Sequence, residues 1–362
     1  MEARITGRQL ESTIALFIIG SSLVTGTQSE AGQDTWICLI IAMLLNIPLI
    51  WIQSKIIELY PGRNYIENII KACGKPIGKT FCVLLLLYSF HIAALVMKTF
   101  CVFIRNMNMP ETPLIFVLIA LTAAQLYVSK KRINVVARIS KFILPVLLVT
   151  VFITLAMAYK CMNISNIKPI LKTDISPMIK SILLLFTLPL GESVICAPLF
   201  SVLEEKAKVF PVFLKGTLMG FAILLIANLR NLFILGPAQK IYIYASYQAV
   251  SVISIGDFFT RIEVIIGFNL LLAGFIKFCV ALFTCSHEVE KIFGLDDYVP
   301  LLAPCSLILI TLVMVVSTNI EEVISWLQYH ALYSIPFQVF IPCTILLIGK
   351  IKNRITGLTT PG

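Results

Sequence analysis

Charge is scarce in this chain. Asp, Glu, Lys and Arg make up 13% of its 362 residues, against about 25% in a typical soluble domain. Histidine is rarer still, with three residues. Hydrophobic residues reach 58%, and mean hydropathy is +0.93. A water-soluble fold of this size cannot hide so much apolar side chain, which excludes a cytosolic enzyme. The same richness excludes disorder. Acidic residues are short as well, 19 against 29 basic ones, for a formal charge of +10. In a membrane protein Lys and Arg gather in cytoplasmic loops beside anionic lipid, so this excess implies no nucleic-acid partner.

Motifs for metal, redox and hydrolytic chemistry are missing too. The ten cysteines include no C-x-x-C pair, which leaves zinc and thioredoxin-like chemistry unsupported. Cys38, Cys82, Cys101, Cys196, Cys279, Cys305 and Cys343 fall inside apolar runs, and Cys73 in a Lys-rich loop. That distribution is not a secreted disulfide framework. Cys161 stands in an expected external loop with no obvious partner. There is no phosphate-binding loop, no H-E-x-x-H and no hydrolytic triad, so neither ATP drive nor proteolysis is indicated. No cofactor and no metal site is expected.

What is present is a series of long apolar runs. A spanning helix needs about 20 mostly apolar residues. Ten stretches qualify: 10–29, 35–54, 80–104, 112–129, 137–159, 178–203, 209–235, 261–286, 298–318 and 331–349. The seventh is the least clean, with Lys215 and Arg230 near its ends. Lipid offers no partner for an open strand edge, so all are expected as helices. The alternating ten-residue segments of a membrane barrel are absent. Arg4 and Arg8 precede a first run without a small-residue cleavage site, which reads as a retained helix rather than a signal peptide. The expected fold is all-α and integral to the membrane, a single transmembrane domain over 1–362.

Loop charge sets the expected orientation. Lys55, Arg63, Lys71, Lys75 and Lys79 fall in one loop, and Lys130, Lys131, Arg132, Arg138 and Lys141 in another. Lys206, Lys208 and Lys215, and then Lys350, Lys352 and Arg354, follow on the same side. Loops 30–34 and 319–330 hold no Lys or Arg, and 105–111 holds only Arg105. The 160–180 loop, with Lys160, Lys168, Lys172 and Lys180, is a partial exception. The majority places both termini in the cytoplasm. Ile66, Ile69 and Ile70 suit a short helix lying on the membrane surface. Tyr242, Tyr244, Tyr247, Phe258 and Phe259 enrich the 236–260 loop, which would sit at the lipid interface or cover an entrance.

Two spans are interrupted. IIGSSLVTG breaks span 1, with Gly20 and Gly26 around Ser21, Ser22 and Thr25. FTLPLGES breaks span 6 at Pro189 and Gly191. Each span is the first of a five-helix half, and an odd count per half inverts the second half. This gives a five-plus-five inverted repeat, about 8–160 and 176–318, with the second half closing at 350. Broken helices at matching places in inverted halves point to a transporter-type binding site. A break frees backbone amides and carbonyls, which are tolerated at membrane depth only where they line a cavity. A half-helix N-terminus favours a carboxylate and a C-terminus favours an ammonium, so a zwitterionic amino acid matches both. The competing reading is that Gly and Pro only help helices pack or kink.

Lone polar residues in the spans add detail. Glu192 is the only acidic residue of 178–203. A carboxylate there binds an ammonium, carries a proton or pins the break. Tyr88, His91, Leu95 and Lys98 share one helical face. His91 reads as a proton relay or, more simply, as an inter-helix hydrogen bonder. Lys98 would snorkel toward the interface. Asn269 and Lys277 lie about 80° apart around span 8. Lys277 would stand in for a bound cation, be proton-linked, or reach headgroups. The middle of span 8 lacks Ser and Thr, which argues against a sodium site of hydroxyl oxygens.

The order of these pieces resembles the B-subunit, or spore permease, family of bacterial endospore germinant receptors. The carriers are QLESTIALFIIGSSLVTG at 9–26, YPGRNYIENIIKACGKPIG at 60–78 and KKRINVVARISKFILP at 130–145. NIKPIL at 166–171, FTLPLGESVICAPLF at 186–200 and SVISIGDFFTRIEV at 251–264 continue the likeness. The resemblance implies the fold of the amino acid–polyamine–organocation transporter superfamily. It implies a germinant-sensing subunit in the spore inner membrane, working with an A-type subunit and a C-type lipoprotein. The implied ligand is a small nutrient, most often an amino acid. The implied site is Gly20, Ser21 and Ser22 at one break and Leu190, Gly191 and Glu192 at the other. Tyr88, His91 and Asn269 line it less directly, and Lys277 matches no family motif. A ligand sensor within a receptor and an autonomous proton- or cation-coupled permease need the same pocket. An integral membrane enzyme ranks below both.

Overall fold

The computed structural model describes residues 4–20, 22–25, 29–60, 62–204, 206–252, 263–316 and 320–355. The described chain is helical, with one isolated parallel bridge between Ile5 and Leu203. Helix α1 covers Gly7–Ile19 and α2 covers Ser22–Thr25. Thr6 and Gln9 form a reciprocal cap that fixes the start of α1. Then come α3 (Thr35–Ile57), α4 (Tyr65–Cys73), α5 (Lys75–Asn108), α6 (Leu114–Ser129) and α7 (Ile133–Ala158). Helix α8 (Ile175–Leu185) leads into a wide turn at Phe186–Leu190 and a tightly wound stretch at Gly191–Val202. The remainder is α9 (Val209–Leu235), α10 (Ala245–Ser251), α11 (Glu263–Phe293), α12 (Leu302–Val316), α13 (Ile320–Ile335) and α14 (Ile341–Ile355).

Among the described residues seven helical stretches are long and apolar enough to cross a membrane. Leu114–Ser129 and Val299–Val315 are apolar but shorter. The first expected span is divided into α1 and α2. Large apolar side chains such as Phe116, Phe142, Leu307 and Leu347 are exposed around the outside. Water would penalise such a surface, and lipid does not. The inside carries the polarity: Asn46, Glu192, Arg230, Asn269, Lys277 and Gln338 are each nearly inaccessible.

Helix α1 lies at the centre, against α7, α9 and α11. Gly216 and Gly220 on α9 permit the approach. A side chain on Gly216 would meet the Glu11 carbonyl at 2.9 Å, and one on Gly220 the Ala15 carbonyl at 3.1 Å. Small residues four apart let helix backbones close in this way inside membranes. Ile5 accepts from Glu204 at 3.0 Å and donates to Val202 at 2.9 Å. The start of α1 and the end of the Gly191–Val202 stretch therefore share one end of the bundle. At the other end Asp34, fully buried, accepts from the Leu171 and Thr173 amides at 2.7 and 3.0 Å. Gln239 donates there to the Gly32 carbonyl at 3.0 Å, so the 159–174 connection and the approach to α10 close that end.

Three local expectations change. The helix at 65–73 exists, yet Ile66 and Ile69 are fully buried by protein rather than laid on lipid. Gly349 of α14 brings Leu59 and Ala72 into contact beneath it, so the apolar stripe finds a protein partner. Lys98 does not reach an interface. It is 2% exposed and donates to the Val313 carbonyl at 3.4 Å. Tyr244 turns inward, its ring edge-to-face with Phe103 at a centroid separation of 5.0 Å, while Phe258 and Phe259 lie outside the described residues.

Candidate functional site

The second break begins at Leu188, whose φ of −135° and ψ of 120° are extended rather than helical. Pro189 has no N–H to offer the turn before it. The carbonyls freed at this break need donors, and buried side chains from three other helical segments supply them. Asn46 of α3 donates to the Phe186 carbonyl at 3.2 Å. Gln338, in the wide turn between α13 and α14, donates to the Thr187 carbonyl at 2.9 Å and to the Tyr88 hydroxyl at 2.7 Å. Thr284 of α11 donates to the Ile195 carbonyl at 2.8 Å. The break is thus cross-linked to α3, α5, α11 and the 336–340 turn.

Glu192 stands one residue past Gly191. Its Oε2 accepts from Lys277 Nζ at 2.6 Å, and both side chains are 1% exposed. Neither charge would be tolerated here alone. Removing two ions from water is offset only by close, well-directed pairing. The Lys277 ammonium also lies 5.0 Å from the centre of the Phe17 ring, a cation–π distance. The stem of Lys277 crosses the α1 break. A side chain added at Gly20 would collide with Lys277 Cδ and meet the Phe17 carbonyl at 3.1 Å. At Gly191 an added side chain would collide with Gln338 Oε1 and stand 2.7 Å from the Phe186 carbonyl. Each glycine is therefore covered by a side chain from the second half of the sequence.

The structure brings together Gly20, Tyr88, Leu190, Gly191, Glu192 and Lys277 of the residues expected from the sequence. Leu190 is fully buried and Ser22 is 8% exposed, whereas Ser21 lies outside the described residues. His91 is one turn along α5, with its ring 4.8 Å from Tyr333 and 5.9 Å from Trp326. Its Nε2 is buried and has no hydrogen-bond partner among the described residues. Asn269 is set apart. It accepts from Thr150 of α7 at 2.6 Å and lies eight residues, about 12 Å, along α11 from Lys277.

Sequence reasoning missed Gln338, Asn46 and Thr284. Asn46 is a lone polar residue within an apolar helix, which is the signal that singled out Glu192, whereas Thr284 opens the polar run 284–288 and Gln338 lies in a turn. Among the described residues, no group of three or more His, Cys, Asp or Glu is placed to hold a metal ion. The arrangement offers one compensated ion pair, freed backbone groups at two breaks and an aromatic wall of Phe17, Tyr88 and Phe337. Tyr88 and Phe337 are stacked with centroids 4.9 Å apart. Chemically the constellation is matched to a small molecule that carries charge, and among the described residues it contains no nucleophile–base arrangement.

Comparison with known proteins bears on the chain as a whole. A family model described as "Spore germination protein" matches residues 4–323. Spore germination protein KB of Bacillus subtilis is 25% identical over 366 residues, covering 98% of this chain and 96% of that protein. Spore germination protein A2 of the same organism is 22% identical over 295 residues, covering 79% of this chain and 80% of that one. Among solved structures, Mhp1 aligns with a TM-score of 0.71 at 12% identity, covering 99% of this chain and 82% of that chain. Mhp1 is a nucleobase-cation-symport-1 family transporter, captured closed with bromovinylhydantoin bound. At that identity the likeness establishes a transporter-type helical fold.

Proposed function

The chain belongs to the spore germination protein family, of the germinant receptor B-subunit or spore permease type, and from that membership we propose that it senses a small nutrient germinant at its paired helix breaks. The observation that carries this reading is the Glu192–Lys277 pair, buried between the breaks at 2.6 Å. A zwitterionic ligand such as an amino acid inserts into the pair. Its ammonium takes Lys277's place on Glu192, and its carboxylate takes Glu192's place on Lys277. No buried charge is left without a partner in either state, so exchange avoids the large penalty of an unpaired ion. Only a ligand with both charges achieves this, which gives selectivity. The two arrangements hold α1, α11 and the 186–202 segment differently, and that difference is what a ligand uses to shift a conformational equilibrium.

The surrounding reading is of a ten-crossing, five-plus-five inverted repeat with both termini cytoplasmic. The shared end of residue 5 and residues 202–204 supports the inversion, and the basic loops at 55–79 and 130–141 support the orientation. The protein sits in the spore inner membrane beside an A-type subunit and a C-type lipoprotein. The transporter-type fold favours a second reading, an autonomous amino-acid permease coupled to a proton or cation. Uptake of radiolabelled L-amino acids by proteoliposomes of the isolated full chain separates the two. The sensor reading expects saturable binding and no accumulation above empty liposomes. Accumulation driven by an imposed proton or sodium gradient would establish the permease instead.

A further inference from the structure

A groove opens on the outside of the bundle where the last turns of α7 and α9 run side by side. It measures about 820 Å³. Phe152, Ala156 and Tyr159 line one wall, and Ile226, Arg230 and Phe233 line the other. Both sets have the i, i+4, i+7 spacing of a single helix face. The wall of α7 looks outward, with Phe152 55% and Tyr159 79% exposed and Ala156 exposed between them. The charged member, Arg230, has its guanidinium already engaged, donating to Thr154 Oγ1 at 2.9 Å and Asn231 Oδ1 at 3.0 Å. What the groove offers an occupant is therefore mainly hydrocarbon.

Water gains nothing from such walls, since a bound water needs polar partners. The length of the groove narrows the choice further. Residues 226–233 rise about 10 Å along α9, and 152–159 the same along α7. One leaflet of the hydrocarbon core is about 15 Å deep, whereas a crossing helix runs the full ~30 Å. A lipid chain in one leaflet fits that span, and a partner's transmembrane helix would overrun it. The end of the groove is polar and fixed. The Asn163 amide donates to the Phe233 carbonyl at 2.9 Å, and Asn166 Nδ2 donates to the same carbonyl at 3.0 Å. Lys160, next to Tyr159, is exposed there. Tyrosine and lysine at a helix end are headgroup-level residues.

We infer that this groove binds one acyl chain of an anionic phospholipid, in the leaflet at the 159–174 end, with the headgroup phosphate against Lys160 and the Tyr159 hydroxyl. Positive charge beside a lipid headgroup favours an anionic lipid over a zwitterionic one. The lysines of the 160–180 connection, an exception to the charge asymmetry of the other loops, then have a partner. Both helices that frame the groove pack on α1, so the bound chain braces the helix that carries the first break. The site is separate from the Glu192–Lys277 pair and does not depend on the germinant being a zwitterion.

The experiment uses phosphatidylglycerol and phosphatidylcholine probes that carry the same photoreactive acyl chain. Each is added in trace to phosphatidylcholine nanodiscs of the purified full chain, and the labelled peptides are mapped by mass spectrometry. Label from the phosphatidylglycerol probe should concentrate on residues 152–162 and 226–233. There it should exceed label from the phosphatidylcholine probe about fivefold, the worth of one lysine beside anionic lipid. At Phe142 and Leu307, which are exposed elsewhere on the surface, the two probes should label equally. Ala156→Trp fills the groove from an exposed position, so it should remove the groove label and leave the label at Phe142 and Leu307. Lys160→Gln should keep the groove label and bring the ratio of the two probes to one. Even labelling of all exposed surfaces, equal labelling of the wild-type groove by both probes, or an unchanged ratio in Lys160→Gln overturns the inference. So does loss of the groove label in native spore membranes, which would show that a protein covers the groove.

Discussion

The two helix breaks are built alike and completed differently. At Gly20 the covering side chain is charged: Lys277 crosses the break to reach Glu192 at 2.6 Å. At Gly191 it is neutral: Gln338 fills the break and donates to Thr187 and Tyr88. A flexible lysine stem can withdraw and leave space, provided its charge finds another partner. A carboxamide tied at two points, with a backbone carbonyl 2.7 Å from the same glycine's missing Cβ, has little freedom to move. Under the proposed function, the α1 break is the side that responds to ligand, and the second break is the frame against which it moves.

Breaking the charged side has the largest expected effect. Lys277→Met leaves Glu192 buried without a cation, and removing one partner of such a pair costs about 3–5 kcal/mol. Membrane abundance and the unfolding midpoint should both fall. Glu192→Gln together with Lys277→Met removes both charges and should restore most of the loss. A double variant no more stable than Lys277→Met would show that the two charges do not compensate one another.

Glycine substitutions sharpen the contrast. Gly191→Ala forces a methyl against the Phe186 carbonyl and Gln338, an overpacking of about 1–3 kcal/mol. Gly20→Ala meets mainly the Lys277 stem, so its effect on stability should be smaller while its effect on ligand response remains. Equal destabilisation in a denaturation series would remove the distinction between frame and moving side. Gln338→Leu leaves the Thr187 carbonyl without its donor, worth about 1–3 kcal/mol. Tyr88→Phe removes one neutral hydrogen bond and should fall near 1 kcal/mol, the smallest change of the series.

The sequence made part of this legible. The helical, membrane-embedded class followed from apolar run lengths, and the breaks from Gly20, Pro189 and Gly191. Glu192 and Lys277 each stood out as charges within apolar runs. Their pairing did not, because they are 85 residues apart and no periodicity links separate helices. Gln338 was harder still, being uncharged and 250 residues from Tyr88. The α4 stripe of Ile66 and Ile69 is legible as amphipathic, but its protein cover is not, since an apolar face has the same spacing whichever apolar surface covers it. In the sequence Arg230 is only an interruption near the end of a span, and the neutral side chains it bonds, Thr154 and Asn231, carry no sequence signal.

The most direct test of the central claim uses the double variant Glu192→Gln, Lys277→Met in spores, with its abundance in the membrane measured alongside germination against ligand concentration. The charge pair is gone and no buried ion is stranded, so folding and binding are separated. A charge-assisted hydrogen bond is worth about 1.5–3 kcal/mol, and about 1.4 kcal/mol is a factor of ten. The account predicts normal abundance with a half-maximal ligand concentration raised at least tenfold. Normal abundance with an unchanged half-maximal concentration would contradict it and reduce the pair to a structural tie between α11 and the second break.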